Sequence, residues 1–233
     1  KPMVSYYEHN LKERGGYILD RIEAGESCAL CSDAGMPAVS DPGEVIVRDA
    51  HVRGIPVVPV PAASAAVTAL CVSGQPTGRF VFEGFLPTNR RQKKERLAAL
   101  QNEERTVIFY EAPHKLPTTL QDLEQAFGPE RSLTICRELT KKYETAFRTT
   151  FSGALAHYEN EEPRGECVIV VEGKSLEEIE KEKAAAWEDM TVEEHMDLYL
   201  EQGMDRKDAM KQVAKDRGIS KRDVYQVLVE RKL

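Results

Sequence analysis

Residues 27–43 read SCALCSDAGMPAVSDPG: a short apolar run, then a stretch with two Asp, two Gly and two Pro from Ser32 to Gly43. The first part, 27–32, has the length and composition of a strand. The residues after it are too rich in turn formers to continue it. Gly35 and Gly43 allow close backbone approach, Pro37 and Pro42 stiffen the run, and Asp33 and Asp41 present acceptors. An ordered loop of this length is more often a binding site than a connector. In an open parallel sheet, ligands sit beyond the carboxyl ends of strands, where this loop stands. Asp41 is also placed to cap a helix opening near Gly43.

The periodicities to either side alternate. A helical pattern over 16–24 stops at Gly25, and the strand 27–32 comes next. A helix over 44–53 is ended by Gly54; a strand over 55–60 and a small, apolar helix over 63–72 come after it. This β–loop–α–β–α order predicts a parallel sheet with crossover helices. A second series runs through strand 79–82, a basic loop and helix to Leu100, strand 106–110, a helix over 116–127 closed by Gly128-Pro129, and strands 133–137, 144–151 and 167–172. Strands that succeed one another without a helix predict a mixed sheet. The segment 74–78, GQPTG, is the expected joint between the two α/β domains.

After Gly173 the chain turns charged and helical. Thr191 with Glu194 forms a capping box, and Gly203 ends that helix. Asp205 and Ser220 cap two further helices, 205–217 and 220–232, separated by Gly218-Ile219 in the proportions of a helix-turn-helix. The expected division is 1–75 for an incomplete N-terminal α/β domain, 76–173 for the second, 174–190 for a charged linker and 191–233 for a helical C-terminal domain.

With 41% hydrophobic and 30% charged residues over 233 positions, the composition is globular. No apolar run approaches the ~20 residues of a membrane span, so a soluble protein without a membrane partner is expected. Five cysteines in no framework spacing fit a reducing cytoplasm. Cys28 and Cys31, three apart on a strand, point to opposite faces and are expected to be buried. The opening KPMVSYYEHN reads as the middle of a longer sequence, so upstream residues are expected. The net charge of −7 argues against whole-protein attraction to nucleic acid, but it conceals a pattern. Residues 174–205 hold three basic and eleven acidic groups, whereas 206–233 hold nine basic and four acidic. A second basic cluster, Arg90, Arg91, Lys93, Lys94 and Arg96, surrounds the single acid Glu95.

Several chemistries lack their signatures. There is no GxxxxGK[ST] and no GxGxxG after a strand, which disfavours nucleoside triphosphates and dinucleotides. The five histidines lack metal spacing, so no metal is expected. Ser64 sits in AASAA, which suits a turn entering a helix better than a nucleophile elbow.

SDAGMPAVSDPG, VVPVPAASAAVTAL, RFVFEGFLP, TVIFYEAPHKL, CRELTKKYET and RGECVIVVEG, in this order and spacing, resemble the ribosomal RNA small subunit methyltransferase I family of the tetrapyrrole-methylase-like class. The resemblance runs from about Tyr6 to Gly173, and the basic tail is similar to that family's C-terminal helix-turn-helix. It implies two α/β domains with S-adenosyl-L-methionine in the cleft between them, in a homodimer. The implied reaction is methyl transfer to the ribose 2′-hydroxyl of a cytidine in the decoding region of 16S rRNA. It further implies that Ser32, Asp33, Ala34, Gly35 and Pro37 line the amino-acid and ribose end of the cofactor. Ser64 and Ala65 would supply backbone contacts, and Phe109, Tyr110 and Gly165 the wall around the adenine. Ala62 stands where the family usually has Gly, Met36 where Thr is common, and the family's N-terminal strand with its glycine loop is not in the sequence.

Methyl transfer from a sulfonium needs in-line placement, exclusion of water and a proton acceptor. Glu111, Glu138, Lys141 and Glu144 are the candidates as a group, since second-domain strands end near them. The 90–96 cluster and Lys211, Lys215, Lys221 and Arg222 are the candidate rRNA contacts. The rival readings are a corrinoid or porphyrinoid methyltransferase on the same fold and a non-enzymatic RNA-binding module. The basic segments weigh against the first.

Overall fold

A computed structural model describes residues 2–185, 187 and 190–230. The last residues expected for the terminal helix, 231 and 232, lie outside the described residues. By density of internal contacts the chain divides into two units, Lys1–Glu172 and Gly173–Leu233. The α/β domains expected over 1–75 and 76–173 fall together in the first unit except for Gly173, which begins the second. The charged segment expected as a linker belongs with the C-terminal helices.

In the first unit, helices α1 (Leu11–Glu23) and α2 (Gly43–Val52) pack on each other through Ile18, Leu19, Ile46 and Ala50. Leu30 and Ile55 rest on the same cluster. The segments 27–32 and 55–60 that carry these two residues are not strands, and neither pairs with another segment among the described residues. The parallel N-terminal sheet read from the sequence therefore does not form here. Apolar, β-branched composition is necessary for a strand, but the strand itself is a hydrogen-bonded pair. Without a partner Val58 and Val60 stand 81% and 78% exposed, and Cys28 and Cys31, expected to be buried, are exposed as well.

One mixed sheet organises the remainder. Strands β1 (Phe80–Phe85), β2 (Thr106–Glu111), β3 (Ser132–Arg137), β4 (Thr145–Thr150) and β5 (Cys167–Val171) lie in the order β1-β2-β5-β3-β4. Only β1 and β2 pair in parallel; the crossover between them holds α4 (Arg90–Leu100). β5 is buried at every position, as expected for a strand covered on both faces. One face carries Val107, Phe109, Leu133, Ile135 and Ile169 against α5 (Leu116–Phe127) and α6 (Phe151–Tyr158). The other carries Ile108, Tyr110, Cys136, Val168 and Val170 against α3 (Ala65–Ser73). Full burial contributes roughly 1.5–3 kcal/mol for each large apolar side chain.

Helix α6 lies where the sequence reading assigns no element, just beyond the strand read over 144–151. Phe151 continues the apolar reading of β4, but the Thr150 side chain accepts from the Gly153 N–H and turns the chain into a helix. Ala62, which stands where the family usually has Gly, does not have positive φ, so its Cβ brings no backbone strain.

The second unit contains α7 (Leu176–Ala185), α8 (Val192–Glu201), α9 (Arg206–Asp216) and α10 (Lys221–Glu230). The three caps stand as read. Thr191 and Glu194 form a capping box, Asp205 accepts from the amides of Lys207 and Asp208, and Ser220 and Asp223 cap each other's backbones. Met196, Ala209, Val213, Ala214 and Val224 form the core.

Beside that core lies a polar network around His195, whose side chain is 0% exposed. Its Nδ1 accepts from Arg217 Nε at 3.1 Å, and Arg217 Nη2 also donates to the carbonyls of Met190 and Thr191. Nε2 lies 3.5 Å from Asp216 Oδ2, a carboxylate already accepting from Tyr199 Oη (2.5 Å) and, at Oδ1, from Gln212 Nε2 (2.8 Å). Trp187, the sole tryptophan, stacks on the imidazole at 3.8 Å. Burial first, and then the Arg217 charge, hold the pKa of His195 below its ordinary 6.5 against the opposing pull of Asp216. The unfolded chain thus takes up a proton that the folded unit resists, and stability falls as pH drops below about 6.5. Trp187 fluorescence against temperature is expected to show a melting point that is constant above that pH and declines beneath it. His195→Gln, which keeps an acceptor for Arg217 without a titrating group, is expected to flatten the decline between about pH 7 and 5.

Candidate active site

Strand register gathers one set of chain ends. Glu111 and Arg137 both face Cys167, Arg137 faces Thr145, and Phe85 faces Tyr110, so the C-terminal ends of β1, β2 and β3 share an edge with the N-terminal end of β5. The N-terminus of α3 comes to this edge, because Tyr110 Oη accepts from the Ala66 N–H at 3.0 Å. Phe82 and Phe85 pack edge-on to the Tyr110 ring at 5.0 and 5.7 Å.

The loop after 27–32 is stitched to the same place. The Met36 N–H donates to Ala63 O at 2.9 Å, immediately before Ser64 and α3. Gly35 has φ +73, and a Cβ there would stand 2.7 Å from Ala63 O, so close approach and left-handed geometry both require glycine. Within the loop, Ser32 Oγ donates to the carbonyls of Ala34 and Gly35 at 3.2 and 3.1 Å. Asp33 is exposed and makes no hydrogen bond or ion pair among the described residues. The second half behaves differently. Asp41 Oδ1 accepts from the amides of Ala38 (2.9 Å) and Gly43 (2.6 Å), tying the loop to the start of α2.

Thus Ser32, Asp33, Ala34, Gly35 and Pro37 share one loop, and Ser64 and Ala65 begin the helix it touches. Tyr110 closes that side. The expected partnership of Phe109 with Tyr110 fails: Phe109 is 0% exposed and packs against Phe127 on the opposite face, because adjacent residues of a strand point to opposite sides. Glu111 is displaced from the cleft by the same alternation. It is buried, with Oε2 accepting from Thr119 Oγ1 of α5 at 2.6 Å and Oε1 from the Ala112 N–H at 2.8 Å. Its role in this arrangement is to fasten the end of β2 to α5. Glu111→Gln, which retains acceptor capacity, is expected to keep methyl transfer within about threefold. Glu111→Ala is expected to lower stability by about 1–3 kcal/mol in denaturant titration, as for other buried hydrogen-bonded groups.

Glu138, Lys141 and Gly165 do meet at the shared edge. Glu138 and Thr140 have φ of +52 and +66, unusual for residues with a Cβ. The Lys141 ammonium lies 3.0 Å from Glu138 Oε1, and the Glu138 N–H donates to Glu166 O at 3.3 Å. Gly165 has φ +74, and a Cβ on it would overlap the Glu138 carboxylate. Glu144, the fourth candidate, accepts from the Thr140 N–H at 2.5 Å and so closes the loop.

The basic cluster at 90–96 forms the first turns of α4, with Asn89 accepting from the amides of Arg91 and Gln92. Two of its five cations are committed elsewhere. Lys93 is half-buried against Asp122 of α5 at 2.6 Å, and Arg96 pairs through two bonds with the nearly buried Glu83. Arg91 reaches only the exposed Glu95, whereas Arg90 and Lys94 have no ion-pair partner among the described residues. Arg90, Arg91 and Lys94 line one depression with Glu95 and Ala98. In the second unit Lys211 and Lys215 share a depression with Met204, and Lys221 and Arg222 are exposed at the start of α10. Among the described residues no three His, Cys, Asp or Glu side chains converge to hold a metal ion, and no helix is long and apolar enough to cross a membrane.

The fold and this edge define a tetrapyrrole-methylase type of α/β protein. The sequence profile of the tetrapyrrole (corrin/porphyrin) methylases matches residues 2–155. Among solved structures, the methyltransferase CobJ superposes with a TM-score of 0.57 at 17% identity over 74% of each chain. Uroporphyrin-III C-methyltransferase from Thermus thermophilus, complexed with S-adenosylhomocysteine, gives 0.50 at 16% identity over 72% of this chain and 75% of that one. Among curated sequences, the ribosomal RNA small subunit methyltransferase I of Bacillus subtilis (strain 168) is 44% identical over 224 residues, 96% of this chain and 76% of that protein. The chain belongs to the ribosomal RNA small subunit methyltransferase I family.

Proposed function

We propose that the protein transfers a methyl group from S-adenosyl-L-methionine to small-subunit rRNA, at the ribose 2′-hydroxyl of a cytidine in the decoding region. One observation carries this reading: the 32–37 loop, the first turn of α3 and Tyr110 converge on a single sheet edge. These residues fit the cofactor's chemistry. The first turn of a helix leaves backbone N–H groups without intrahelical partners, and those of α3 other than the Ala66 N–H, which Tyr110 takes, suit a carboxylate. Asp33 offers an unpaired acceptor for ribose hydroxyls or an ammonium group, and Tyr110 offers an aromatic face. When bound, S-adenosyl-L-methionine supplies an electrophilic methyl group on a sulfonium. The protein contributes placement and removal of the hydroxyl proton.

The exposed cations on α4 and on α9 and α10 favour an RNA acceptor over a porphyrinoid, which needs no phosphate contacts. The homodimer implied by the family, and a cytoplasmic location beside the ribosome, belong to the same reading. Incubation of the protein with S-adenosyl-L-methionine and small subunits from cells lacking it, with mass-spectrometric mapping of the product, is expected to place one new ribose methyl on a decoding-region cytidine. A base methyl, or none with 16S rRNA but one with a porphyrinoid, would contradict the assignment.

A further inference from the structure

The four candidate proton acceptors are not equivalent once the sheet is built. Glu111 is turned to the α5 face and spends both oxygens there. Glu144 is used by the Thr140 amide. Lys141 is exposed, and its hydrogen bond to Glu138 raises its pKa above the ordinary lysine value, so it stays a cation and cannot accept a proton. Glu138 is left.

Its setting is unusual on several independent counts. The residue holds a left-handed backbone although it is not glycine, a conformation that persists only where the surroundings enforce it and that clusters at functional sites. Its backbone is fixed by Glu166 O, and its carboxylate by Lys141. Gly165 provides a surface without a Cβ against which the carboxylate lies. Leu139, the next residue, packs against the same cluster of α3 and sheet residues as Tyr110, and Arg137, the residue before Glu138, shares the register partner Cys167 with Glu111, which puts this loop at the edge and on the face of the sheet that carry the proposed cofactor wall. The Glu138 side chain retains 21% exposure, enough to reach an incoming group.

We propose that Glu138 is the catalytic proton acceptor for the ribose hydroxyl, and that Lys141 and Gly165 are the positioning residues that hold its carboxylate at the sheet edge. The inference rests on the methyltransferase reading above. As the new O–CH3 bond forms and the S–CH3 bond breaks, the acceptor oxygen becomes positively charged and its proton strongly acidic. That proton passes to the Glu138 carboxylate, leaving the methyl ether, neutral thioether and a carboxylic acid that later returns the proton to water. A carboxylate is a sufficient base because transfer occurs late, when the oxygen is already alkylated.

The test uses the full chain, Glu138→Gln and Lys141→Gln, with two readouts: S-adenosyl-L-methionine affinity by calorimetry, and single-turnover methylation of small subunits across a pH series. Glu138→Gln is expected to bind cofactor within about threefold of the parent and to lose on the order of 100-fold in the methylation step, with the acidic limb of its pH profile flattened. Lys141→Gln is expected to lose on the order of tenfold and to keep that limb. If Glu138→Gln does not fold by circular dichroism, Glu138→Asp carries the test, with a loss of at least tenfold expected at unchanged cofactor affinity. A parent that methylates while Glu138→Gln keeps more than a third of its rate overturns the assignment. So does parallel loss of cofactor binding and rate, which would make Glu138 part of the cofactor wall. A parent that binds no cofactor overturns the methyltransferase reading instead.

Discussion

Gly35→Ala is expected to abolish measurable S-adenosyl-L-methionine binding while the five-stranded sheet stays folded. The added Cβ meets Ala63 O at 2.7 Å, and that oxygen belongs to backbone already accepting from the Met36 N–H. Neither side can move without breaking the stitch between the loop and the α3 terminus. The residue would also have to hold φ +73, which costs a residue with a Cβ about 1–2 kcal/mol before any clash. Since the loop's other ties are short-range bonds from Ser32 and Asp41, the 32–37 segment should come away from α3 as a unit. Calorimetry would show the loss of binding. Circular dichroism should be nearly unchanged, because the core of β2, β3 and β5 does not include the loop. Retained affinity would mean that the cofactor does not depend on this junction.

Reversing three charges on α4 is expected to produce the largest effect on RNA. The variant Arg90→Glu, Arg91→Glu, Lys94→Glu leaves the Lys93–Asp122 and Arg96–Glu83 tethers intact, so α4 should remain seated on β1 and α5. Only Arg91 loses an ion pair, and an exposed i,i+4 pair contributes no more than about 0.5 kcal/mol. Affinity for the small subunit is expected to fall on the order of 100-fold at 0.1 M salt. The slope of log affinity against log salt should shrink by about 2 to 3, matching the phosphate contacts removed. Cofactor affinity should be unaltered. Changing Lys93 or Arg96 would instead test stability, because those cations are spent inside the protein.

Much of this organisation was legible in the chain. The terminators Gly25, Gly54, Gly74 and Gly128 and the caps at Thr191, Asp205 and Ser220 act through a few neighbouring residues, and each lies where local chemistry puts it. The mixed character of the sheet was legible at β3 and β4, which succeed one another without room for a crossover helix and pair antiparallel. The division of SDAGMPAVSDPG was also legible: Asp33 and Gly35 belong to the loop at the strand ends, and Asp41 and Gly43 to the start of α2.

Other features depend on residues distant in sequence. Apolar composition at 27–32 and 55–60 marks them as able to pair, but pairing requires a second strand at the right distance, and among the described residues no such strand stands beside them. Alternation along 106–111 says that Phe109 and Tyr110 diverge; only the placement of α3 and α5 on opposite faces decides that Tyr110 joins the site while Phe109 and Glu111 do not. The cluster at 90–96 counts five cations, and only the fold reveals that Asp122 and Glu83 claim two of them. The sequence by itself therefore determined the family, the helix caps and terminators and most elements of the five-stranded sheet, because these are set by local backbone chemistry and by motif order. The tertiary structure decided which side chains share a site, because that depends on which face of a strand a distant helix covers and on which charges folding brings within reach of one another.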